Sequence, residues 1–395
     1  MSRAMRRVGK VLKLTRRPVE VRLDGSYEEI GIRSFGRGVF HKEPVSGAQL
    51  GSKRVFRIEP GDLLLSNVFA WEGAVAVAGH AEQGKIGSHR FMTYVPINDD
   101  EIDTNWASWF FRSEPGLELI RQASPGSAGR NRTLAIDRFE ALAIPLPPID
   151  EQRRVASYLD RVSETVDAAF ERKRHAELLF DAMTDSRESQ LIASLGAAGI
   201  PFRRLSEVAE INPRPARLTA DEVVSFVPMA AVDADTGSIS GAEVRSVMEV
   251  GTGYKQFRRE DVIFARITPC MQNGKSAVFS ERDFGFGSTE FHVVRTGDGV
   301  TAEYIHRILR TRQLREKAAE HFTGTAGQQR VPAEFLRQVL IPVPPSHQHQ
   351  QEIVARLDAF RTEARAFRTI SLDADALASS LLPASLNATF AGYTD

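Results

Sequence analysis

One cysteine, Cys270, in 395 residues excludes an internal disulfide framework and any zinc site built from several thiolates. Cys270 reads as a small buried hydrophobe rather than a nucleophile. An excess of one charge is also missing: 51 Lys and Arg face 51 Asp and Glu, which argues against a chain that grips nucleic acid unaided. No apolar run reaches the length of a membrane span, and MSRAMRRVGKVLKLTRR lacks the apolar middle of a secretory signal, so a soluble cytoplasmic protein with no membrane contact is expected. Catalytic signatures are absent too. There is no P-loop, no Gly-x-Ser-x-Gly elbow and no His-Glu-x-x-His, and the histidines show no metal-ligand spacing. SFGRGVF (34–40) has Gly36 and Gly38 but neither a preceding strand nor a third glycine, which suits a turn better than a dinucleotide loop. NPRP (212–215) shares only its first two residues with an amino-methyltransferase tetrapeptide. The expectation is a chain with no catalytic residue, no metal and no cofactor of its own. Its 42% hydrophobic content and its length allow two or three globular domains.

What is present is an internal repeat. IPLPPIDEQ (144–152) returns as IPVPPSHQHQ (341–350), and the correspondence runs both ways from there. SAGRNR (127–132) faces TAGQQR (325–330), FFRS (110–113) faces ILRT (308–311), and GSHRF (87–91) faces GSTEF (287–291). PGDLLLSN (60–67) faces REDVIFAR (259–266), VASYLD (155–160) faces IVARLD (353–358), and LIASLG (191–196) loosely matches LNATFAG (386–392). Paired prolines fix φ and remove backbone donors, so each proline phrase must be an extended connector, outside any helix or central strand. The chain is two copies of one unit: a globule, a proline hinge and a helix.

Both helices carry a heptad seam. Stepping four then three from Val155 gives Val155, Leu159, Val162, Val166, Ala169, Lys173, Ala176, Phe180 and Met183. The same steps from Ile353 give Ile353, Leu357, Phe360, Ala364, Phe367, Ser371, Ala374, Ala378 and Leu381. Only Lys173 and Ser371 break the two stripes, at equivalent positions. A long helix with one apolar stripe needs a partner, and the simplest partner is the other stripe.

In the globules, VRLDG, RVFRI, DLLLSNVF, AVAVAG and MTYVP, then SFVPMAAV, DVIFARIT, SAVF and FHVVR, are predicted strands between turn residues, with a helix over 106–122 and another over 302–321. Asp62 matches Asp261 and Phe91 matches Phe291, while NVFAWEGAVAVAG and RITPCMQNGKSAVF differ, so one scaffold carries two sets of loops. Those loops are rich in donors. They offer Arg33, Ser34 and Arg37, Asn67, and Arg130, Asn131 and Arg132 in the first copy. In the second they offer Arg266, Thr268, Gln272, Asn273 and Lys275, and Gln328, Gln329 and Arg330. Arg, Asn and Gln match base edges in the major groove, whereas Lys, Ser, Thr and loop amides suit phosphates. The seven Lys and Arg of residues 1–20 face Glu20 alone, and charge by itself favours a solvated tail there over a phosphate-seeking arm.

This pairing of variable α+β domains, closing loops, IP-x-PP hinges with a glutamine-rich turn and heptad helices resembles the DNA-specificity subunits of type I restriction-modification systems over nearly the whole chain. IPLPPIDEQRRVASYLD is the most specific stretch, and the second glutamine turn is one residue longer, with His347 and His349 in it. The resemblance implies target-recognition domains at 1–148 and 197–345, a spacer helix at 149–196, and a second spacer helix with the C-terminal tail at 346–395. The fold class is then α+β, with two tandem recognition domains joined by long antiparallel coiled-coil helices in a pseudo-twofold repeat. It also implies the partners: double-stranded DNA read as two half-sites, two methylation subunits that carry S-adenosylmethionine, and restriction subunits with ATP and Mg where the system cleaves. Helices of about 33 residues at ~1.5 Å each would measure about 50 Å, or roughly 15 base pairs. Rival readings are the specificity subunit of a related methylation-based defence system, an enzyme fused to its own specificity domain, and a coiled-coil scaffold that binds only proteins.

Overall fold

The computed structural model describes residues 4–126, 132–325 and 328–393. It divides into two compact units, Met1–Lys173 with Leu372–Asp395, and Arg174–Ser371. The boundary falls inside both long helices, which run Ile149–Ala197 and His347–Phe390.

The first unit is built on a four-stranded antiparallel sheet in the order Leu12–Leu14, Phe91–Pro96, Leu63–Ser66, Val75–Val77. Its Leu63-Leu64-Leu65 run is apolar throughout because both faces are covered. Leu63 and Leu65 join a core with Trp106, Phe110 and Phe139, while Leu64 packs with Ile30, Ile32 and Ile58 beneath the hairpin Ile30–Ile32 and Val39–His41. The second unit repeats this sheet as Ala209–Ile211, Phe291–Thr296, Val262–Ala265, Ser276–Val278. Val262 and Phe264 face one core and Ile263 the other. Asp62 and Asp261 mark equivalent corners. Each accepts a forked arginine, Arg17 at 2.7 and 3.0 Å and Arg295 at 2.7 and 2.8 Å, although the two arginines come from different segments.

Several expectations are corrected. Val21–Gly25 is a turn, closed by the Gly25 amide on the Arg22 carbonyl, and not a strand. The basic N-terminus is no tail: Ala4–Arg7 pairs antiparallel with the proline phrase Ala143–Leu146, and Val8, Val11 and Leu12 are buried. Phe202–Arg204 pairs with Leu340–Pro342 in the same way. The predicted helices over 106–122 and 302–321 are each two, Thr104–Arg112 with Glu114–Gln122, and Ala302–Leu309 with Arg312–Glu320. The breaks fall at Ser113 and Thr311, whose buried hydroxyls donate to the carbonyls of Phe110 and Ile308, competing with the helical ladder.

The hinge glutamines explain the repeated phrase. Gln152 is fully buried, accepts the Asp103 amide at 2.9 Å and donates to the carbonyls of Glu101 and Pro147. Gln350, despite the longer turn, accepts the Thr301 amide at 2.9 Å and donates to those of Gly299 and Pro344. Each clamps the start of its long helix to the globule before it.

Helix pairing is visible within each unit. In the second, Phe180 stacks on Phe367 at 4.6 Å, and Arg368 meets Asp181, Arg361 meets Glu188 and Arg187 meets Glu363. Partners descend along one helix as they ascend along the other, so the helices are antiparallel. Phe360 is half-buried with Arg187 over its ring, and Ile353 and Leu357 share a core with Leu191 and Leu195. In the first unit, Val155 and Leu159 share a core with Leu382, Leu386 and Phe390; Val166 is buried and Val162 half-buried. The two polar seam positions are each answered across the pair, Lys173 by Asp375 and Ser371 by Glu177. Leu381 fails as a seam residue. It is 47% exposed, as is Met183 at 44%. Both lie four heptads from the start of their stripes, and a straight helix drifts by about 20° per heptad against a 3.5-residue repeat, enough to turn both out of the seam. Leu382 and Leu386 face inward instead.

Candidate nucleic-acid interface

In the second unit the two donor-rich loops meet. The Thr268 amide donates to the Gln329 carbonyl at 3.0 Å and the Val331 amide to the Arg266 carbonyl at 2.8 Å. Arg330 forks onto Glu290, with Arg266 3.4 Å from the same carboxylate, and together they hold Glu290 below the usual carboxylate range. Two guanidiniums on one carboxylate leave a net positive spot. Gln272, Asn273 and Gln328 are exposed, while Thr268 bonds Gln272. Lys275 is turned inward onto the Met229 carbonyl, away from any external ligand.

Beneath this cluster, His292 is buried, takes an Asn212 amide hydrogen at Nδ1 and donates from Nε2 to the Val331 carbonyl. Asn212 spends its carbonyl on the Val293 amide, so the NPRP segment serves the scaffold. Burial pushes the His292 pKa down to about 4, and burial with Arg310 nearby pushes that of His306 down to about 3. Both values lie below the ordinary value near 6.5, so the unfolded chain takes up protons first as pH falls. The stability these neutral rings contribute is present above about pH 6.5 and is lost toward pH 4, at roughly 1.4 kcal/mol per histidine per pH unit. The second unit should therefore be weaker by about 3 kcal/mol at pH 5.5 than at pH 7.5. Urea titrations at the two pH values measure this, and a midpoint whose pH response survives unchanged in His306→Gln would refute it.

The first unit presents the same frame with other side chains. The Asn67 amide donates to the Arg90 carbonyl at 2.8 Å and its carbonyl accepts the Leu134 amide at 2.9 Å, just as Arg266 is held by Glu290 and Val331 at 2.9 and 2.8 Å. Asn67 Oδ1 is buried with no partner among the described residues. Arg33 and Arg37 are exposed on the hairpin turn, with Arg33 over the Phe40 ring, while Ser34 is held by Glu72. Arg132 lies over Trp71, and Arg130 and Asn131 fall outside the described residues.

Two features were not picked out from the sequence. One is a cleft of about 490 Å³ beside Asn67, lined by Lys53, His89 and Arg90 and by Lys42 paired with Glu29, with Phe40, Phe69 and Phe91, adjoining one of about 340 Å³ lined by Arg16, Lys53, Arg54 and His89. Arg16, Lys53, Arg54, His89 and Arg90 come from three separate segments: Arg16 belongs to the basic cluster of residues 1–20, and Lys53-Arg54 and His89-Arg90 are neighbouring pairs, but nothing along the chain showed that they meet. The other is the arginine of the FFRS and ILRT repeat. Half-buried Arg112 lies over the Trp109 ring and donates to the Gly36 carbonyl at 2.6 Å. Arg310, 1% exposed, donates to the carbonyls of Ala234, Asp235 and Gly274 at 2.8–2.9 Å. Each holds loops of its own unit from below. Among the described residues no group of three or more His, Cys, Asp or Glu side chains is placed to hold a metal, and no helix is long and apolar enough to cross a membrane.

Known proteins share this architecture. Residues 35–179 and 199–369 match the model of the type I restriction modification DNA specificity domain. The chain is 33% identical over 161 residues to the EcoAI specificity subunit of Escherichia coli, covering 40% of the chain and 27% of that protein. To the EcoEI specificity subunit of Escherichia coli it is 34% identical over 145 residues, 36% of the chain and 24% of that protein. The matched stretches thus span about a quarter of these relatives' length. The fold resembles a chain solved in a study of the assembly and conformational transition of the type I R-M system (TM-score 0.68, 19% identity, 98% of this chain and 97% of that one). It also resembles the HsdS subunit of Thermoanaerobacter tengcongensis (TM-score 0.56, 19% identity, 98% and 96%). With the family's domain matched twice over most of its length, on two copies of one scaffold that differ in their loops, the chain belongs to the type I restriction-modification DNA specificity family.

Proposed function

We propose that the chain is a non-catalytic DNA-reading subunit whose two globules each read one half of a split target. The observation that carries this reading is the common backbone frame that presents Asn67 in one copy and Arg266 in the other. Asn suits an adenine edge and Arg a guanine edge, so one scaffold delivers two specificities. The basic clefts beside Asn67 suit phosphates. In this reading the paired helices set the gap between half-sites and dock the methylation subunits. Exposed apolar side chains on them support docking: Leu178, Leu179 and Ile370 in the second unit, and Leu372, Leu377 and Leu381 in the first. S-adenosylmethionine belongs to the methylation subunits, and ATP and Mg to a restriction subunit where one is present. The complex works on DNA in the cytoplasm.

Methylome sequencing of cells carrying this chain with its methylation subunit tests the proposal. The expected result is a split, adenine-methylated motif. Arg266→Ala, and likewise Gln329→Ala, should relax only the half read by the second unit, with discrimination falling by about ten-fold or more at the affected base pair. A continuous motif, or equal relaxation in both halves, would sink the reading.

A further inference from the structure

We propose that Phe35 is a wedge that enters the DNA duplex between base pairs of the half-site read by the first unit. This rests on the DNA-reading function above. Phe35 combines two unfavourable features: its backbone is left-handed, at φ +59°, and its ring is 75% exposed. A bulky residue pays for that backbone conformation, and an exposed ring recovers nothing by burial. Glycines at 36 and 38 already take positive φ in the same turn, so the turn does not need a phenylalanine for its shape.

The conformation is held from several sides. The Phe35 amide donates to the Glu72 carbonyl at 2.7 Å, the Gly36 amide to the Gly73 carbonyl at 3.0 Å, and the Arg33 amide closes the turn on the Gly38 carbonyl at 2.9 Å. Ser34 is tied to Glu72, and half-buried Arg112 supports the Gly36 carbonyl from below. A side chain that pushes base pairs apart needs such bracing, because the stack pushes back. Arg33 and Arg37 are exposed on either side of Phe35, placed for backbone phosphates while the ring enters between them.

The second unit provides an internal control. Its turn is closed by the same bond, from the Asp233 amide to the Ser238 carbonyl at 2.9 Å, and is braced by Arg310 as the first is by Arg112. Where the first turn has Phe35, this one has Asp235, which lies 3.3 Å from Arg368. A carboxylate is repelled by phosphates and cannot stack on bases. Unstacking should therefore occur in one half-site only.

The test uses the assembled complex with its methylation subunit, on a duplex carrying the motif defined by the wild-type methylome, with 2-aminopurine placed at each step in turn. The first unit's half-site is the one that Arg266→Ala leaves intact. Besides the adenine that the methylation subunit flips out in each half, wild type should raise 2-aminopurine fluorescence at one further step of that half and at none in the other. Phe35→Gly should abolish the rise and weaken binding by about ten-fold, and Phe35→Trp should keep both. Because glycine tolerates φ +59°, the melting temperature of Phe35→Gly should not fall, which separates a lost wedge from a damaged fold. If Phe35→Gly binds within two-fold of wild type and keeps the fluorescence, or loses its methylation subunit instead, the wedge is wrong while DNA reading stands. If wild type binds no duplex, the reading beneath it falls as well.

Discussion

Arg310→Met should weaken the second unit by about 4 kcal/mol, close to the upper range for single substitutions. Two effects oppose each other. Burial, with Arg361, Arg307 and Arg315 close by, pushes the Arg310 pKa down to about 9, so removing the charge relieves some desolvation and repulsion. Against this, the carbonyls of Ala234, Asp235 and Gly274 lose their donor, while that of Ser276 keeps His306. An unsatisfied buried carbonyl costs about 1–3 kcal/mol; that of Gly274 is buried and those of Ala234 and Asp235 are partly so, and together they outweigh the relief. Arg310→Lys should do only slightly better, since a point charge cannot span the acceptors of two loops. Denaturant unfolding and amide exchange over 233–238 and 272–276 measure the effect. A methionine variant within 1 kcal/mol of wild type and with unchanged exchange would show that these loops hold themselves.

Leu178→Asp and Leu377→Asp should each abolish stable association with the methylation subunit while leaving the isolated chain folded. Both side chains are 64% exposed, so the chain alone loses little when they change. Covering each leucine on assembly is worth about 1.5–3 kcal/mol, and burying an unpaired carboxylate in its place costs at least as much again, for a combined loss of about 150-fold or more in affinity. Leu159→Asp is the informative contrast: Leu159 lies in the core and its loss should unfold the first unit. Pull-down with purified methylation subunit, read beside the melting temperature, separates the cases. Full association of both exposed-site variants would place docking elsewhere.

The helix seams show how far local pattern carries and where it stops. Phe180 and Phe367 meet as their periodicity predicts, because contacts near the middle of two long stripes tolerate small errors of phase. Leu381 does not, because phase error accumulates with distance. The break at Ser113 was marked by its hydroxyl and by Pro115 in the first turn of the next helix, that at Thr311 by a hydroxyl alone, and apolar periodicity runs straight past both. Of the flagged donors, Lys275 and Arg330 carry suitable groups yet are engaged within the fold, one on a carbonyl 46 residues away and the other on Glu290, 40 residues away.

The duplication, the proline hinges, the paired stripes and the family were all present in the amino-acid order, because repetition and periodicity are properties of spacing along the chain. Which donors stay free, which arginines sit beneath loops instead of on them, and where Arg16, Lys53, Arg54, His89 and Arg90 converge were decided only by tertiary structure. The availability of a polar group depends on what reaches it through space, and its partners come from segments whose distance along the chain carries no information about their distance in the fold.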